Sequence, residues 1–296
     1  MRTGILELLF SRDYVSGEEM SDKLGVSRTA VWKHIEVLRK EGHLIESKPG
    51  RGYLLVRLGN RLSPERLKLG LNCKVFAREV SCFDELASTN LEAKRLAARG
   101  YPEGTLVIAE KQLQGRGRMG RSWESSLGGI WLSILLKPKI APQVASQLSL
   151  LAAAAVQQTL AKDFAINTKI KWPNDILLDH LKLSGILTEM KGEIDRIEYV
   201  VLGVGINANQ TLEDFPLHLR DKVVSIRMAS GKECDRLALL QRLLERLETY
   251  YLDFIENGFD KTRKVCLRES SLIGKQITFS SGESKLHARA VDLGKD

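Results

Sequence analysis

The chain of 296 residues has few of the cysteines and histidines from which disulfides and metal sites are made. Only four cysteines and five histidines are present. No two cysteines form a C-x-x-C pair, none has a histidine at zinc-ligand spacing, and the histidines are scattered along the chain. We therefore expect reduced thiols and no metal site built from side chains.

Long apolar runs and a leader segment are also missing. No stretch reaches the ~18 uncharged apolar residues that a membrane-spanning helix needs. Glu7 stands where a signal peptide would have its apolar region, and no cleavage site follows it. The content of 43% hydrophobic and 28% charged residues is ordinary for a globular protein. We predict a cytoplasmic protein with no membrane partner and, from its length, about two domains.

The chain has an excess of positive charge, and residues 5–57 form a segment that could bind a polyanion. The formal net charge is +8, which permits binding to a polyanion. Helical patterns at 5–9 and 16–24 precede a third, from Arg28 to Glu41. Ser16 and Ser27 are placed as N-caps, Gly25 ends the second helix, and Val31, Ile35 and Leu38 are spaced to form one buried stripe on the third. Two short strands then flank a basic turn at 48–52. Helices followed by a hairpin predict a winged helix-turn-helix, and the alternative is a module of this kind that contacts only protein.

The residues expected to contact DNA lie at the start of the third helix and at the tip of the wing. In winged helix-turn-helix domains the N-terminal end of the recognition helix meets the base edges. Residues 27–57 hold seven basic side chains against three acidic ones, a local net charge of +4. The candidates are Ser27, Arg28, Thr29, Lys33, Lys48 and Arg51.

The segment Gly115–Arg121 alternates glycine with arginine. Glycine lets the backbone approach a ligand closely, and the arginine guanidinium matches carboxylate and phosphate oxygens. The segment is suited to gripping a small anion, and the alternative is a basic turn that faces water. It also fits the G-x-G-x-x-G dinucleotide pattern. Five residues separate it from the preceding apolar run, and no helix pattern follows, so we reject a nicotinamide cofactor.

The rest of the chain predicts a mixed or antiparallel sheet with helices. Apolar runs at 105–109, 130–136, 176–178, 182–187 and 199–207 are joined by short turns or by helical patterns at 91–99 and 144–160. A linker is expected at 60–66. Ser88–Asn90 precedes a helix, and its hydroxyls and amide can cap that helix or face a ligand; taken alone, the pattern favours capping. Proline at 173 interrupts a strand. Strand patterns at 272–279 and 286–291 indicate a small terminal unit.

Four motifs together resemble the signature set of biotin protein ligases. They are Gly115–Arg121, Lys171–Asp175, Lys182–Leu187 and Gly203–Asn207. With the N-terminal helix-turn-helix, the sequence resembles the bifunctional members, which combine a biotin operon repressor with a biotin–[acetyl-CoA-carboxylase] ligase. The resemblance implies an α+β fold with three parts: a DNA-binding domain at 1–60, a class II synthetase-like catalytic domain at 66–262, and a small SH3-like β unit at 266–296. Since the chain stops at Asp296, we expect that last unit to be truncated.

The resemblance also implies a reaction and its residues. Biotin would be activated by ATP with Mg²⁺, giving biotinyl-5′-AMP, and then passed to a lysine of a biotin carboxyl carrier protein. The implied catalytic residues are Arg116, Arg118 and Lys182. The implied biotin-binding residues are Ser88, Thr89, Asn90, Gln112, Arg116, Gly117, Arg118 and Lys182. The implied residues for ATP or the adenylate are Gly115, Arg118, Arg121, Lys171, Trp172, Asn174, Asp175 and Asn207.

The same resemblance implies that the adenylate induces a homodimer that binds operator DNA. Two alternatives remain at this point. One is a lipoate–protein ligase, a related enzyme that also adenylates an acid but lacks the G-R-G-R-x-G run. The other is a DNA-binding repressor that senses biotin without catalysis.

Overall fold

The computed structural model describes residues 1–10, 13–40, 42–57, 61–281 and 284–294. The expected end of the third helix at Glu41 and the expected start of the linker at Asn60 lie outside these residues. The chain divides into two compact units, Met1–Leu71 and Asn72–Asp296.

The first unit contains three helices, a two-stranded antiparallel wing and a short fourth helix. Its elements are α1 (Arg2–Phe10), α2 (Gly17–Leu24), α3 (Arg28–Lys40), β1 (Leu44–Lys48), β2 (Gly52–Arg57) and α4 (Pro64–Lys68).

Local sequence signals explain where the helices of the first unit begin and end. Ser16 Oγ accepts a hydrogen bond from Glu19 N at 3.0 Å, and Ser27 Oγ accepts one from Ala30 N at 3.2 Å. Gly25 ends α2 in the left-handed conformation, with φ of 65°, which glycine adopts without a steric cost. The predicted caps are therefore confirmed. The buried stripe of α3 is also as predicted: Val31, Ile35 and Leu38 are fully buried.

Helix α4 stands where the sequence predicted a linker, so that expectation was wrong. Ser63 caps the helix through a hydrogen bond from Arg66 N, and Pro64 occupies its first turn. Leu67 is 1% exposed, and Glu65 forms an ion pair with Arg2 of α1 at 3.0 Å. The serine-proline start is a helix signal that the polar composition of the segment obscured.

The second unit is built on a sheet of seven strands. Its strands are β3 (Val80–Leu86), β4 (Leu106–Gln112), β5 (Ile130–Leu136), β6 (Lys169–Lys171), β7 (Asp175–Leu178), β8 (Leu181–Gly192) and β9 (Ile197–Ile206). Its helices are α5 (Thr89–Ala98), α6 (Gln147–Asp163), α7 (Ile226–Ser230), α8 (Arg236–Asn257) and α9 (Asp260–Arg268).

The strand order is β3-β4-β5-β9-β8-β7-β6. The pair β3–β4 is parallel, because α5 connects the two strands, and the other neighbours are antiparallel. This confirms the predicted mixed sheet and the α+β class. The interior strand β5 is buried along its whole length.

Helix α6 passes the simplest test for a membrane span but is a core helix by burial. The described segment Pro142–Asp163 is long and apolar enough to cross a membrane, yet 78% of its most apolar stretch is buried inside the protein. Leu148, Leu151 and Leu160 are fully buried. Its alanine-rich surface lets the neighbouring elements approach closely on most sides.

The C-terminal segment forms a two-stranded antiparallel hairpin, β10 (Gln276–Ser281) and β11 (Ser284–Arg289). The strand predicted from Leu272 begins only at Gln276, because Lys275 N bonds back to Leu272 O and Gly274 has a φ of 84°. The described residues of this segment contain one hairpin, and the expected SH3-like unit is not confirmed.

Candidate functional site

A cavity of about 310 Å³ opens on the second unit and gathers most of the predicted site residues. The strands β8 and β9 form part of its wall, and the loop that follows β4 forms another. The predicted residues that line it are Ser88, Thr89, Asn90, Gln112, Arg116, Gly117, Arg118, Arg121, Lys171, Trp172, Asn174, Asp175 and Lys182. The three cations predicted to be catalytic therefore meet at one cavity.

The arginine loop is a tight turn closed by its own backbone. Gly117 N donates to Arg121 O at 2.7 Å, and Trp123 N donates to Gly115 O at 2.9 Å. Met119 adopts a φ of 56° at the tip and is 89% exposed. A non-glycine residue in the left-handed region is uncommon, and a fixed turn holds it there. The turn projects its arginines toward the cavity while its apolar tip faces solvent.

Lys182 is held from several directions. Its Nζ lies 2.8 Å from Asp175 Oδ1, in an ion pair whose angle does not make a hydrogen bond, and 4.9 Å from the centre of the Trp123 ring. Its backbone is fixed too: Lys182 N donates to Lys222 O at 2.8 Å, and Val224 N donates to Lys182 O at 3.1 Å. A cation held in this way presents a preorganised charge to an anionic ligand.

Two predicted ligand-binding residues, Gly115 and Asn207, do not line the cavity. A Cβ on Gly115 would lie 2.2 Å from Trp123 O, so glycine is needed there for backbone packing. Asn207 is 2% exposed, and its Nδ2 donates to Val224 O at 3.1 Å and to Lys182 O at 3.4 Å. Asn207 therefore supports the backbone of Lys182, and sequence reasoning could not distinguish support from contact.

Ser88, Thr89 and Asn90 were expected to precede a helix and to cap it; α5 instead begins at Thr89, and the capping interpretation was wrong. Ser88 occupies the N-cap position, but its side chain makes no capping hydrogen bond. Thr89 N and Thr89 Oγ1 both donate to Gln112 Oε1, at 2.8 and 3.0 Å. Gln112 Nε2 in turn donates to Ser125 Oγ at 2.8 Å. Thr89 and Gln112 therefore bond to each other and line the cavity, because β4 passes close to the start of α5.

Both polar atoms of the Asn90 side chain have hydrogen-bond partners within the protein. Its Nδ2 donates to Glu189 Oε2 at 2.8 Å, and its Oδ1 accepts from Ser133 Oγ at 2.6 Å. Burial acts to raise the pKa of Glu189. Hydrogen bonds from Lys94 and Asn90 and the charges of Lys94 and Arg116 outweigh burial, so the net pKa is lowered. Glu189 also lines a second cavity, on the other side of the arginine loop.

Sequence reasoning missed Trp123 and the two glycines that make room for it. A Cβ on Gly185 would lie 2.8 Å from Trp123 Cζ3, and one on Gly205 would lie 2.7 Å from Trp123 Nε1. The two glycines face each other across β8 and β9. Trp123 Nε1 is buried and has no hydrogen-bond partner among the residues that the structure describes, so it is a donor at the cavity wall. Glycines at matching positions of neighbouring strands were the available signal.

A second candidate site lies in the first unit, in a groove between α3 and the wing. Arg28, Thr29 and Trp32 form one side, and Ser47 to Gly50 form the other. Trp32 is 52% exposed, which is unusual for tryptophan on a small domain. All six residues predicted to contact DNA are exposed to solvent: Ser27, Arg28, Thr29, Lys33, Lys48 and Arg51.

Of these six residues, three line the groove itself. They are Arg28, Thr29 and Lys48. Arg51 lies with its guanidinium 4.5 Å from the centre of the Tyr14 ring, so it is fixed against the body of the unit.

Comparison with known proteins assigns both sites to a class. Residues 80–207 match the biotin/lipoate A/B protein ligase family, and residues 2–54 match a helix-turn-helix domain. The first match contains most of the cavity residues, and the second contains the α3–wing groove. The two sites are therefore those of a ligase-type catalytic domain and a DNA-binding domain carried on one chain.

Similarity to individual relatives identifies the family more narrowly. The chain is 46% identical over 263 residues to the bifunctional ligase/repressor BirA of Bacillus spizizenii, covering 88% of this chain and 81% of the relative. It is 34% identical to BirA of Salmonella typhimurium, covering 97% and 89%. The Aquifex aeolicus biotin protein ligase, solved with biotin and ATP, is 29% identical with a TM-score of 0.65, covering 74% of this chain and 89% of that one. The chain belongs to the family of bifunctional biotin–protein ligases and repressors.

Proposed function

We propose that the chain activates biotin with ATP, giving biotinyl-5′-AMP and pyrophosphate, and transfers the biotinyl group to a lysine of a biotin carboxyl carrier protein. The observation that carries the proposal is the convergence of Arg116, Arg118 and Lys182 on one cavity. Its volume is in the range of small-molecule sites, about 300–1,000 Å³. The ligase family to which the chain belongs supports the same chemistry.

In the first step, a carboxylate oxygen of biotin attacks the α-phosphorus of ATP, and the bond to the bridging oxygen of pyrophosphate breaks. Both reactants are anions, so repulsion between them must be screened as they approach. Arg116, Arg118 and Lys182 supply fixed positive charge where negative charge builds up in the transition state. Of these, Lys182 is the most firmly held, by Asp175, by Trp123 and by its backbone.

In the second step, the lysine amine of the carrier attacks the acyl carbon, loses its proton, and AMP leaves. The mixed anhydride must survive until the carrier arrives, and it hydrolyses if water reaches it. We propose that the loop Gly115–Arg121 covers the adenylate and excludes water. Arg118 Nη1 donates to Asn174 Oδ1, at 3.5 Å, and this contact with the β6–β7 connection supports a covering role for the loop.

Two groups of cavity residues suit the two substrates. The polar residues Ser88, Thr89 and Gln112 lie with the apolar Leu132 and Trp123, which suits a small molecule with a polar head and an apolar body. The proposed phosphate-binding residues lie on the arginine loop, the β6–β7 connection and β8: Arg118, Arg121, Lys171, Trp172, Asn174, Asp175 and Lys182.

Mg²⁺ fits this site as an ion shared with the substrate. The described residues contain no group of three or more His, Cys, Asp or Glu side chains that could hold a metal. Asp175 lines the cavity, where its Oδ1 also pairs with Lys182 Nζ, and Mg²⁺ is commonly held by one or two carboxylates together with substrate phosphates. The bound ion would neutralise charge on the phosphates. Asp175 is the residue of this chain that would help to hold it.

We further propose that the adenylate-bound form dimerises in the cytoplasm and represses the biotin operon. A single helix-turn-helix offers few contacts, and non-specific DNA binding is only about 10⁻⁴–10⁻⁶ M at physiological salt. Two copies on a palindromic operator add affinity through effective concentration. The exposed cations of α3 and the wing support a DNA-binding role.

One experiment tests the catalytic proposal against its rivals. The protein is incubated with ATP, Mg²⁺, a carrier domain and either labelled biotin or labelled lipoate. We expect label on the carrier with biotin and none with lipoate. Label with lipoate only would assign the chain to the lipoate branch, and tight biotin binding without label would leave a sensor. Replacing the acceptor lysine of the carrier with arginine is the matched control.

A further inference from the structure

We propose that Trp32 is a specificity-determining residue of the first unit, which recognises a thymine in the major groove of DNA through the C5-methyl group of that base. Trp32 is not among the residues that the sequence predicted to contact DNA. The inference rests on the proposed repressor function, because it names a feature that the unit recognises in its operator. It is carried by the exposure, the surroundings and the chemistry of this one side chain.

Trp32 does not belong to the hydrophobic core of the first unit. Val31 and Ile35, its neighbours on α3, are members of that core, but Trp32 is neither a member nor one of the described side chains packed against it. Its ring is 52% exposed. Tryptophan has the largest apolar side chain, and one that faces water is available to a partner. Its removal should therefore leave the fold of the unit intact.

The position of Trp32 indicates the kind of partner. A single exposed apolar residue is ordinary on a protein surface, but Trp32 lies one helical turn after Arg28, and both line the groove of about 810 Å³ between α3 and the wing. The other charged residues that line this groove are Lys48 and the acidic Glu18. An apolar ring beside cations of α3 and the wing suits duplex DNA, whose phosphates attract the cations while its base edges meet the helix.

The chemistry of the indole ring selects thymine among the four bases. In the major groove, thymine presents an apolar group, the C5-methyl, next to the acceptor O4. An indole ring is apolar and has one N–H donor and no acceptor. Adenine and cytosine present amino donors that an indole cannot accept, and guanine presents two acceptors without an apolar group. Thymine is therefore the base that complements the ring in both respects.

An uncharged contact to a base differs measurably from a charged contact to a phosphate. Neutralising a phosphate releases counterions, so Arg28 and Lys48 contribute to the salt dependence of binding on any DNA sequence. Trp32 carries no charge and releases none. A contact between Trp32 and a thymine methyl group therefore contributes to sequence preference and not to salt dependence.

The test first selects binding sites for the full-length protein, with biotin, ATP and Mg²⁺, from a library of random duplex DNA. Each thymine of the selected site is then replaced by deoxyuridine, which removes the methyl group alone. For wild type, we expect a thymine in each half-site at which this replacement weakens binding about fourfold, the scale for burial of one methyl group. In Trp32→Ala the effect at that position should vanish, and affinity for the selected site should fall about tenfold with an unchanged salt dependence. The matched control is Phe10→Ala, which removes an aromatic ring of the same unit that is 68% exposed and lies outside the groove.

The outcomes separate two failures. If wild type enriches no sequence, the proposed repressor function is overturned and the inference falls with it. If wild type enriches a site and every effect of deoxyuridine persists in Trp32→Ala, only the role of Trp32 is overturned. Equal weakening on the selected site and on random DNA also overturns it, because contacts to the DNA backbone have that signature. Should Trp32→Ala fail to fold, Trp32→Gln keeps a long side chain at this position and must remove the same methyl effect.

Discussion

The two basic regions of this molecule use positive charge in opposite ways. In the cavity of the second unit, Lys182 is half-buried and held in place by Asp175 and Trp123, beside the exposed arginines of the loop. In the groove of the first unit, the cations of α3 and the wing are all exposed to solvent. A held charge in a confined site acts on the chemistry of one small anion, whereas exposed charges spread over a surface attract a long polyanion and are screened by salt. The comparison predicts which substitutions affect catalysis and which affect only DNA.

The largest expected effect is in the cavity. Lys182→Ala should lower the rate of adenylate formation by at least ~10²-fold, the scale of one preorganised contact to a developing charge. Biotin-dependent exchange of pyrophosphate into ATP measures this step. Lys191→Ala, which removes an exposed lysine of the same strand, is the control and should keep the wild-type rate. Near-normal exchange in Lys182→Ala would exclude Lys182 from the reaction.

The second prediction concerns retention of the intermediate. Arg118→Gly should release biotinyl-5′-AMP and label exposed lysines on unrelated proteins, because the loop no longer covers the adenylate. The measurement is adenylate released into solution, together with biotin found on bystander proteins. Arg196→Gly alters an arginine in the exposed β8–β9 turn and serves as the control. If Arg118→Gly retains the adenylate as wild type does, the loop is not the cover.

The third prediction distinguishes the two regions by salt. The logarithm of the association constant for DNA should fall linearly with the logarithm of salt concentration, and Lys48→Ala or Arg28→Ala should each reduce the steepness of that slope by about 0.9. The KM for biotin in the same variants should not change. Lys264→Ala, on the second unit, is the control for the loss of one positive charge. A wild-type salt slope in Arg28→Ala and Lys48→Ala would contradict the assignment of the groove.

The smallest effect concerns the stability of the first unit. Burial and, after it, the positive charge of Arg66 lower the pKa of His43 to about 4, against the opposing charge of Glu65. Because the unfolded chain, with a pKa of about 6.5, binds the proton more readily, stability is complete above that pH and is lost as pH falls toward 4. The loss should reach roughly 1–3 kcal/mol.

Hydrogen exchange of the α1–α3 amides at pH 7 and pH 5 measures this loss. His43→Gln should reduce the difference in stability between the two pH values. His218→Gln, in the other unit, should leave it unchanged. An unaltered difference in His43→Gln would show that other groups cause the acid sensitivity.

The sequence predicted best where one residue decides a local structure. Ser16, Gly25 and Ser27 defined helix ends through their own hydrogen bonds or backbone conformation. Lys182 and the arginine loop were found because their residue types match anion chemistry. These features depend on a few neighbours in the chain, so they are visible without the fold.

The sequence predicted least where distant strands decide the outcome. Trp123 depends on the absence of side chains at Gly185 and Gly205, which lie on two other strands. The role of Asn90 depends on Ser133 and Glu189, 43 and 99 residues away along the chain. Asn207 belongs to a motif at the cavity but faces the backbone behind it. Strand register sets all three, and no local pattern encodes it.

The central claim is that Arg116, Arg118 and Lys182 act together on one anionic ligand. A crystal structure of the protein with biotin and a non-hydrolysable ATP analogue tests it most directly. We predict that the biotin carboxylate and the α-phosphate lie within hydrogen-bonding distance of Lys182 and at least one of the two arginines. Ligands bound elsewhere, or these three side chains directed away from both ligands, would contradict it.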